Sequence, residues 1–276
     1  MELELDSRNR RRVKYCPCNK SNKDGKFVPF VNSEKHGYCH SCDRTFKPDI
    51  NHFHDFSPVK KKKKARPQYV DKEYFKSLLF DYDNDKNDFV NFLERILGVY
   101  PTNQILKDYL LGTSKRNVGA VIFPYINAHG NIISLKIMQY NKQTGKRHGV
   151  IYYDNPEERY PICFFGEHLI AQYDKPIAIV ESEKTACLMS YFNPNYLWLA
   201  CGGSNGIKVS KFSAFKHRTI HLFPDQSKFI EWSEKLMDLE DSHPTIEFEI
   251  SKECELWYQQ GQIKKGDDIA DYFLRI

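Results

Sequence analysis

Two rhythms of apolar positions divide this chain. A spacing of three to four residues runs from about 71 to 110, and a strand-type spacing begins near 118. Asp71 can cap a helix that places Tyr74, Phe75, Leu78 and Leu79 on one face. After a polar turn through 81–86, Phe89, Phe92, Leu93, Ile96 and Leu97 predict a second helix ending at Gly98. Thr102 is expected to open a third, through Ile105, Leu106, Tyr109 and Leu110. Residues 118–126 and 132–140 read as strands joined by the turn Ala128-His129-Gly130-Asn131, and 150–153 as a further strand.

Beyond Pro176 the rhythm changes to an alternation of strand and helix. Residues 177–180, 196–201, 219–223 and 245–250 are expected strands; 183–192, 209–215 and 229–239 are expected helices. The all-apolar run at 177–180 suits a strand covered on both faces, as in a parallel sheet. Such an alternation predicts an open α/β layer, with functional residues gathered beyond the carboxyl ends of its strands.

The first 57 residues follow neither rhythm; they are polar, basic and cysteine-containing. Residues 58–70 carry Pro58, Lys60, Lys61, Lys62, Lys63, Lys64, Arg66 and Pro67, the composition of an extended linker. The whole is expected to be an α+β multidomain protein. Its parts are a small β domain at 1–57, a basic linker at 58–70, a helical and β-hairpin subdomain at 71–170, and an α/β domain at 171–276.

Composition supports a packed core: 41% of the 276 residues are hydrophobic, with 17 Tyr and 19 Phe, which excludes wholesale disorder. A net charge of +5 is modest, but its distribution is uneven. Arg8, Arg10, Arg11, Arg12 and Lys14 form one block and 60–66 a second, an arrangement suited to a polyanion. Solvated surface charge is the plainer alternative. No apolar run is of signal-peptide or membrane-spanning length, so a cytoplasmic location with reduced thiols and no membrane partner is expected.

Reduced thiols direct attention to metal binding. Cys16-Pro17-Cys18 and Cys39-His40-Ser41-Cys42 offer two knuckles whose thiolates can converge on one tetrahedral Zn²⁺. Phe27, Val28, Phe30 and Val31 would supply the intervening hairpin and Asp24-Gly25 a turn. Four protein ligands make a closed, structural site, and a region this small needs one. The first knuckle is a residue tighter than C-x2-C, so His36 or His40 is an alternative to Cys18. Cys163, Cys187, Cys201 and Cys254 sit among apolar neighbours and are expected in the core.

The second candidate site lies in the α/β part. The apolar strand at 177–180 delivers Glu181 to the start of a helix, and the strand at 219–223 ends in Pro224-Asp225. If the strands are neighbours, both carboxylates face one crevice. Two oxygen ligands plus water and phosphate oxygens are what Mg²⁺, or Mn²⁺, accepts. Lys184 can contact phosphate or stay solvated, and the loop from Gly202 to Gly206 can approach phosphate through its amides.

Val180-Glu181-Ser182-Glu183-Lys184 followed by Phe223-Pro224-Asp225 resembles the toprim domain of primases, topoisomerases and some nucleases. Upstream, Val121-Ile122-Phe123-Pro124-Tyr125-Ile126, Ile133 to Met138, Tyr152 to Glu157 and Phe165-Gly166 are similar, in order, to bacterial replicative primases, which also carry a preceding zinc ribbon. The likeness is nearest to primase-like toprim proteins of bacterial mobile elements, which tend to end as Gly266-Asp267-Asp268-Ile269-Ala270-Asp271-Tyr272 does here. The resemblance implies Glu181 as general acid/base and Asp225 as ligand of Mg²⁺. It also implies single-stranded DNA, RNA and nucleotides as partners, with a helicase or relaxase of the element. Toprim sites usually carry Asp-x-Asp where this chain has Asp225-Gln226-Ser227, so Asp267 or Asp268 is the alternative oxygen donor. Three functions follow: primer synthesis by nucleotidyl transfer in replication or mobilisation, Mg²⁺-dependent nuclease action, or nucleic-acid binding without turnover.

Overall fold

The computed structural model describes residues 4–31, 33–47, 69–148, 163–203, 205–215 and 217–275, with the backbone alone of 152–154. The basic stretch at 60–66 lies outside the described residues. The chain divides into two compact units, Met1–Arg66 and Pro67–Ile276.

In the first unit, β1 (Phe27–Pro29), β2 (Gly37–Cys39) and β3 (Arg44–Phe46) form an antiparallel sheet. Val13, Cys16, Phe27 and Cys39 are its small buried core. Asn22 ties the chain around this core by hydrogen bonds. Buried at 2% exposure, its Nδ2 donates to the carbonyls of Arg10, Val13 and Phe27, and its Oδ1 accepts from the Phe27 amide. Asp24-Gly25 turns the chain into β1; the β1–β2 connection lies at 30–36, where the Phe30 amide bonds the His36 carbonyl. The expected hairpin therefore exists, and the expected turn at Asp24-Gly25 leads into its first strand.

The second unit begins with α1 (Lys72–Lys76), capped by Asp71 accepting from the Tyr74 amide. It is shorter than the apolar spacing predicts because the Ser77 hydroxyl bonds the Tyr74 carbonyl and Leu79 bridges to Gly112. Next come α2 (Asp88–Leu97), capped by the buried Asn87, and α3 (Val99–Tyr109). Gly98, at φ 86°, both ends α2 and precedes α3, a backbone state that costs glycine little. The third helix thus opens at Val99, not Thr102. Pro101 falls in its first turn, where no intrahelical amide is needed, and Thr102 is buried inside it.

Antiparallel β4 (Gly112–Thr113), β5 (Val121–Ile126), β6 (Ile132–Met138) and β7 (Tyr152–Asp154) form a sheet in chain order. Val118 lies in the turn before β5, so that strand starts later than expected. Every residue of β5 and β6 is buried. One face of this sheet packs on Phe75 and Leu78; the other joins the main core through Val121, Phe123 and Tyr125.

The remaining strands are β8 (Ile177–Val180), β9 (Leu197–Ala200), β10 (Thr219–Leu222) and β11 (Glu247–Ile250). All pair in parallel, in the order β11-β10-β8-β9. Helices α4 (Glu183–Phe192) and α5 (Phe229–Ser242) are the crossovers of β8 to β9 and β10 to β11; residues 209–215 form a 3-10 helix. Then α6 (Glu253–Gln259) and α7 (Ile269–Phe273) follow, stacked through Trp257 and Tyr272, whose ring centroids are 3.9 Å apart. One continuous core runs from Phe89 to Ala270 and takes in Trp198, Trp232 and the four expected core cysteines. The architecture is mixed α/β: two small antiparallel sheets and one four-stranded parallel sheet. No helix among the described residues is long and apolar enough to cross a membrane.

Candidate functional site

In the first unit, the Sγ atoms of Cys16, Cys18, Cys39 and Cys42 lie within 4.8 Å of one another. Four thiolates about 2.3 Å from a tetrahedral ion have separations of this order, so the set fits Zn²⁺. The tight first knuckle works because Asn19, at φ 64°, turns its amide to the Cys16 carbonyl at 2.8 Å. Asp43, at φ 52°, follows the second knuckle and is also in the left-handed region. Asn and Asp are the side chains that tolerate this left-handed state. All four expected ligands are together. His36 is engaged elsewhere, its Nδ1 3.1 Å from the Ser33 hydroxyl, and the His40 ring packs edge-on to Tyr38.

The second unit brings the two predicted carboxylates to neighbouring strands. The pairing of Ile179 with Leu222 sets β8 beside β10, and Glu181 and Asp225 lie just beyond their carboxyl ends. Both side chains are half-buried. Burial raises the pKa of Glu181, with Glu231 adding to the shift and Lys228, Lys136 and Arg147 opposing it. Burial also raises Asp225, with the charges of Asp268, Glu181 and Asp271 adding, to about 8. Among the described residues neither carboxylate has a hydrogen-bond or ion-pair partner. Carboxylates that repel one another and stand unpaired are ready to share a cation.

The other predicted residues have defined places. Lys184 Nζ lies 3.7 Å from Asp271, tying α4 to α7. Ser227, at φ 76°, is exposed, and its amide donates to Glu255 at 2.6 Å. Gln226 is buried and holds the Gly266 amide and the Asp267 carbonyl. Asp267 pairs with Arg275 at 2.8 Å. Asp268 is buried, caps α7 and accepts the Thr185 hydroxyl at 2.5 Å. Of the two alternatives to position 227, Asp268 is the one whose charge bears on Asp225. The Gly202–Gly206 loop reaches the site through the Gly202 amide, which donates to the Glu181 carbonyl at 3.0 Å.

Sequence reasoning missed a buried group behind Glu181. Lys136 (5% exposed) places Nζ 2.7 and 2.9 Å from the two oxygens of Glu183 (1% exposed), and Tyr125 donates its hydroxyl to the same carboxylate. The signal was a lysine inside the apolar strand Ile132–Met138. Alternation there puts Ser134 and Lys136 on the face shared with Tyr125. A buried charge is the informative exception in such a run.

Fold and site together define a mixed α/β protein with a four-cysteine cluster that fits a metal ion and two carboxylates at the rim of a parallel sheet. A family model described as a domain of unknown function, DUF6371, matches residues 87–226, just over half of the chain, and the chain belongs to that family. No curated protein matches it. Among solved structures it is distantly similar to the primase fragment of the bacteriophage T7 primase-helicase, at 14% identity and a TM-score of 0.34 over 90% of this chain and 94% of that one. The E. coli primase catalytic core matches at 14% and 0.37, over 74% and 67% of the two chains. The Aquifex aeolicus primase fragment of zinc-binding and RNA polymerase domains matches at 13% and 0.39, over 73% and 51%.

Proposed function

We propose that this chain is a primase-like toprim protein that binds single-stranded DNA and extends a primer by Mg²⁺-dependent nucleotidyl transfer, in the replication or mobilisation of a mobile element. The observation that carries the reading is the pair Glu181 and Asp225. Just beyond the ends of neighbouring parallel strands stand two carboxylates that lack hydrogen-bond and ion-pair partners among the described residues, and the charge of Glu181 helps raise the pKa of Asp225. The toprim-like order of motifs in the sequence points to the same chemistry.

Mg²⁺ held by Glu181 and Asp225, with Asp268 adding negative charge behind them, would neutralise phosphate oxygens during transfer. Glu181, whose pKa is raised by burial, is suited to exchange a proton with the attacking hydroxyl. The four-cysteine unit would carry a structural Zn²⁺, and the basic stretch Lys60–Lys64 with Arg66 would track the template backbone.

A single incubation tests this: the protein with single-stranded DNA, labelled ribo- or deoxynucleotides and Mg²⁺ or Mn²⁺. Oligomer synthesis that Glu181→Gln abolishes, with DNA binding retained, is the expected result. Turnover unchanged by that substitution refutes the catalytic assignment. A second reading, a nucleic-acid-binding accessory protein, draws on Ser227, a hydroxyl where a second acid is usual. DNA binding with neither synthesis nor cutting would favour it, and cutting alone would favour a nuclease.

A further inference from the structure

The Lys136–Glu183–Tyr125 group is placed where structure alone does not require it. A buried ion pair is seldom more stabilising than apolar side chains of the same shape, because desolvating two charges offsets their attraction. Yet here the pair sits inside otherwise apolar β6 and at the first position of α4, two residues after Glu181.

Its bonds lead to the acidic site. Lys136 Nζ, besides gripping both oxygens of Glu183, donates to the Gly202 carbonyl at 3.0 Å. The amide of that residue donates to the Glu181 carbonyl at 3.0 Å. Gly202 has φ 90°, and a Cβ there would lie 2.3 Å from the Tyr125 hydroxyl and 3.6 Å from Glu183 Oε1. The backbone at 202 is therefore pressed against the group, as only glycine permits. Tyr125 and Lys136 come from the antiparallel sheet, Glu183 and Gly202 from the parallel layer. The antiparallel sheet thus reaches across the core to fix the peptide that fixes Glu181.

We infer that Lys136 is a positioning residue: held by Glu183 and Tyr125, it locks the Gly202 peptide and through it sets where the Glu181 carboxylate stands for cation binding. The inference rests on the proposed divalent-cation site at Glu181 and Asp225, and adds to it the device that keeps one ligand in place.

The test is calorimetric titration of Mn²⁺ into the full-length protein, with thermal melting alongside. The double variant K136M/E183M removes the charges together and keeps the side-chain volume. It is expected to melt as a folded protein and to bind Mn²⁺ at least about fivefold more weakly than the parent. Y125F loses only a hydroxyl and serves where the double variant fails to fold; a two- to threefold loss is expected. K136R, which keeps a donor for Gly202, is expected to bind better than K136M/E183M. Wild-type Mn²⁺ affinity in Y125F and in any folded K136M/E183M would overturn the positioning role while leaving the cation site standing. No Mn²⁺ binding by the parent protein would remove the site itself, and the positioning role with it.

Discussion

Asp225 stands beyond the strand paired with the one that delivers Glu181, and the charge of Glu181 helps raise its pKa to about 8. Burial is the larger cause, and Asp268 the first of the neighbouring charges. The folded state therefore binds a proton at Asp225 that the unfolded state, near the ordinary aspartate value, releases above about pH 4.

The sign of the pH dependence follows. Without divalent cations, Asp225 contributes stability that is complete below the unfolded pKa and is lost as pH rises toward 8. Asp225→Asn mimics the protonated form, so its melting temperature relative to wild type should climb from pH 4 to pH 8 and then level off. Adding Mg²⁺ should narrow the gap at pH 8. A gap independent of pH would contradict the assignment.

The Zn²⁺ proposed at the four cysteines would make the first unit dependent on it. Cys39→Ser, or prolonged chelation of the full-length protein, should open Met1–Arg66 to limited proteolysis while Pro67–Ile276 stays resistant, because the two units have separate cores. Native mass spectrometry should find one zinc in wild type and none in Cys39→Ser. Unchanged protease resistance without metal would show that Asn22 and the apolar residues suffice.

Asn87 offers a stability test inside the family-matched segment. Its Oδ1 caps α2 at the amides of Phe89 and Val90, and its Nδ2 donates to the Gly112 carbonyl and Thr113 hydroxyl, all buried. Asn87→Ala should cost about 2–3 kcal/mol, the loss of a cap plus buried groups left unpaired. Urea unfolding with an unchanged slope measures it.

The basic stretch predicts a salt dependence. Replacing Lys60–Lys64 by glutamine should reduce the slope of log affinity against log salt for single-stranded DNA by roughly 0.7 for each lysine that contacts phosphate. An identical slope in the variant would assign the binding elsewhere.

Much of this was legible in the sequence because it depended on local pattern. The apolar run at 177–180, the stop at Gly98, the cap at Asp71 and the paired cysteines each carry their reason within a few residues. The start of α3 was not legible, since Thr102 offers a cap by composition while its hydroxyl in fact returns to the Gly98 carbonyl inside the helix. The Lys136–Glu183 pair was hidden for a different reason. Its partners are separated by 47 residues, and only the packing of one sheet against the other brings them together. The role of Asp268 beside Asp225 likewise depends on α7 folding back onto α4 through Thr185 and Lys184.

The central claim is that Glu181 and Asp225 jointly hold a divalent cation. Crystals soaked in Mn²⁺ at pH 8 and measured at the manganese absorption edge test it most directly. An anomalous peak is expected roughly 2.0–2.3 Å from an oxygen of each carboxylate, absent in Asp225→Asn. A soaked crystal with no peak there, and with Lys228 or Arg147 turned onto both acids, would contradict it.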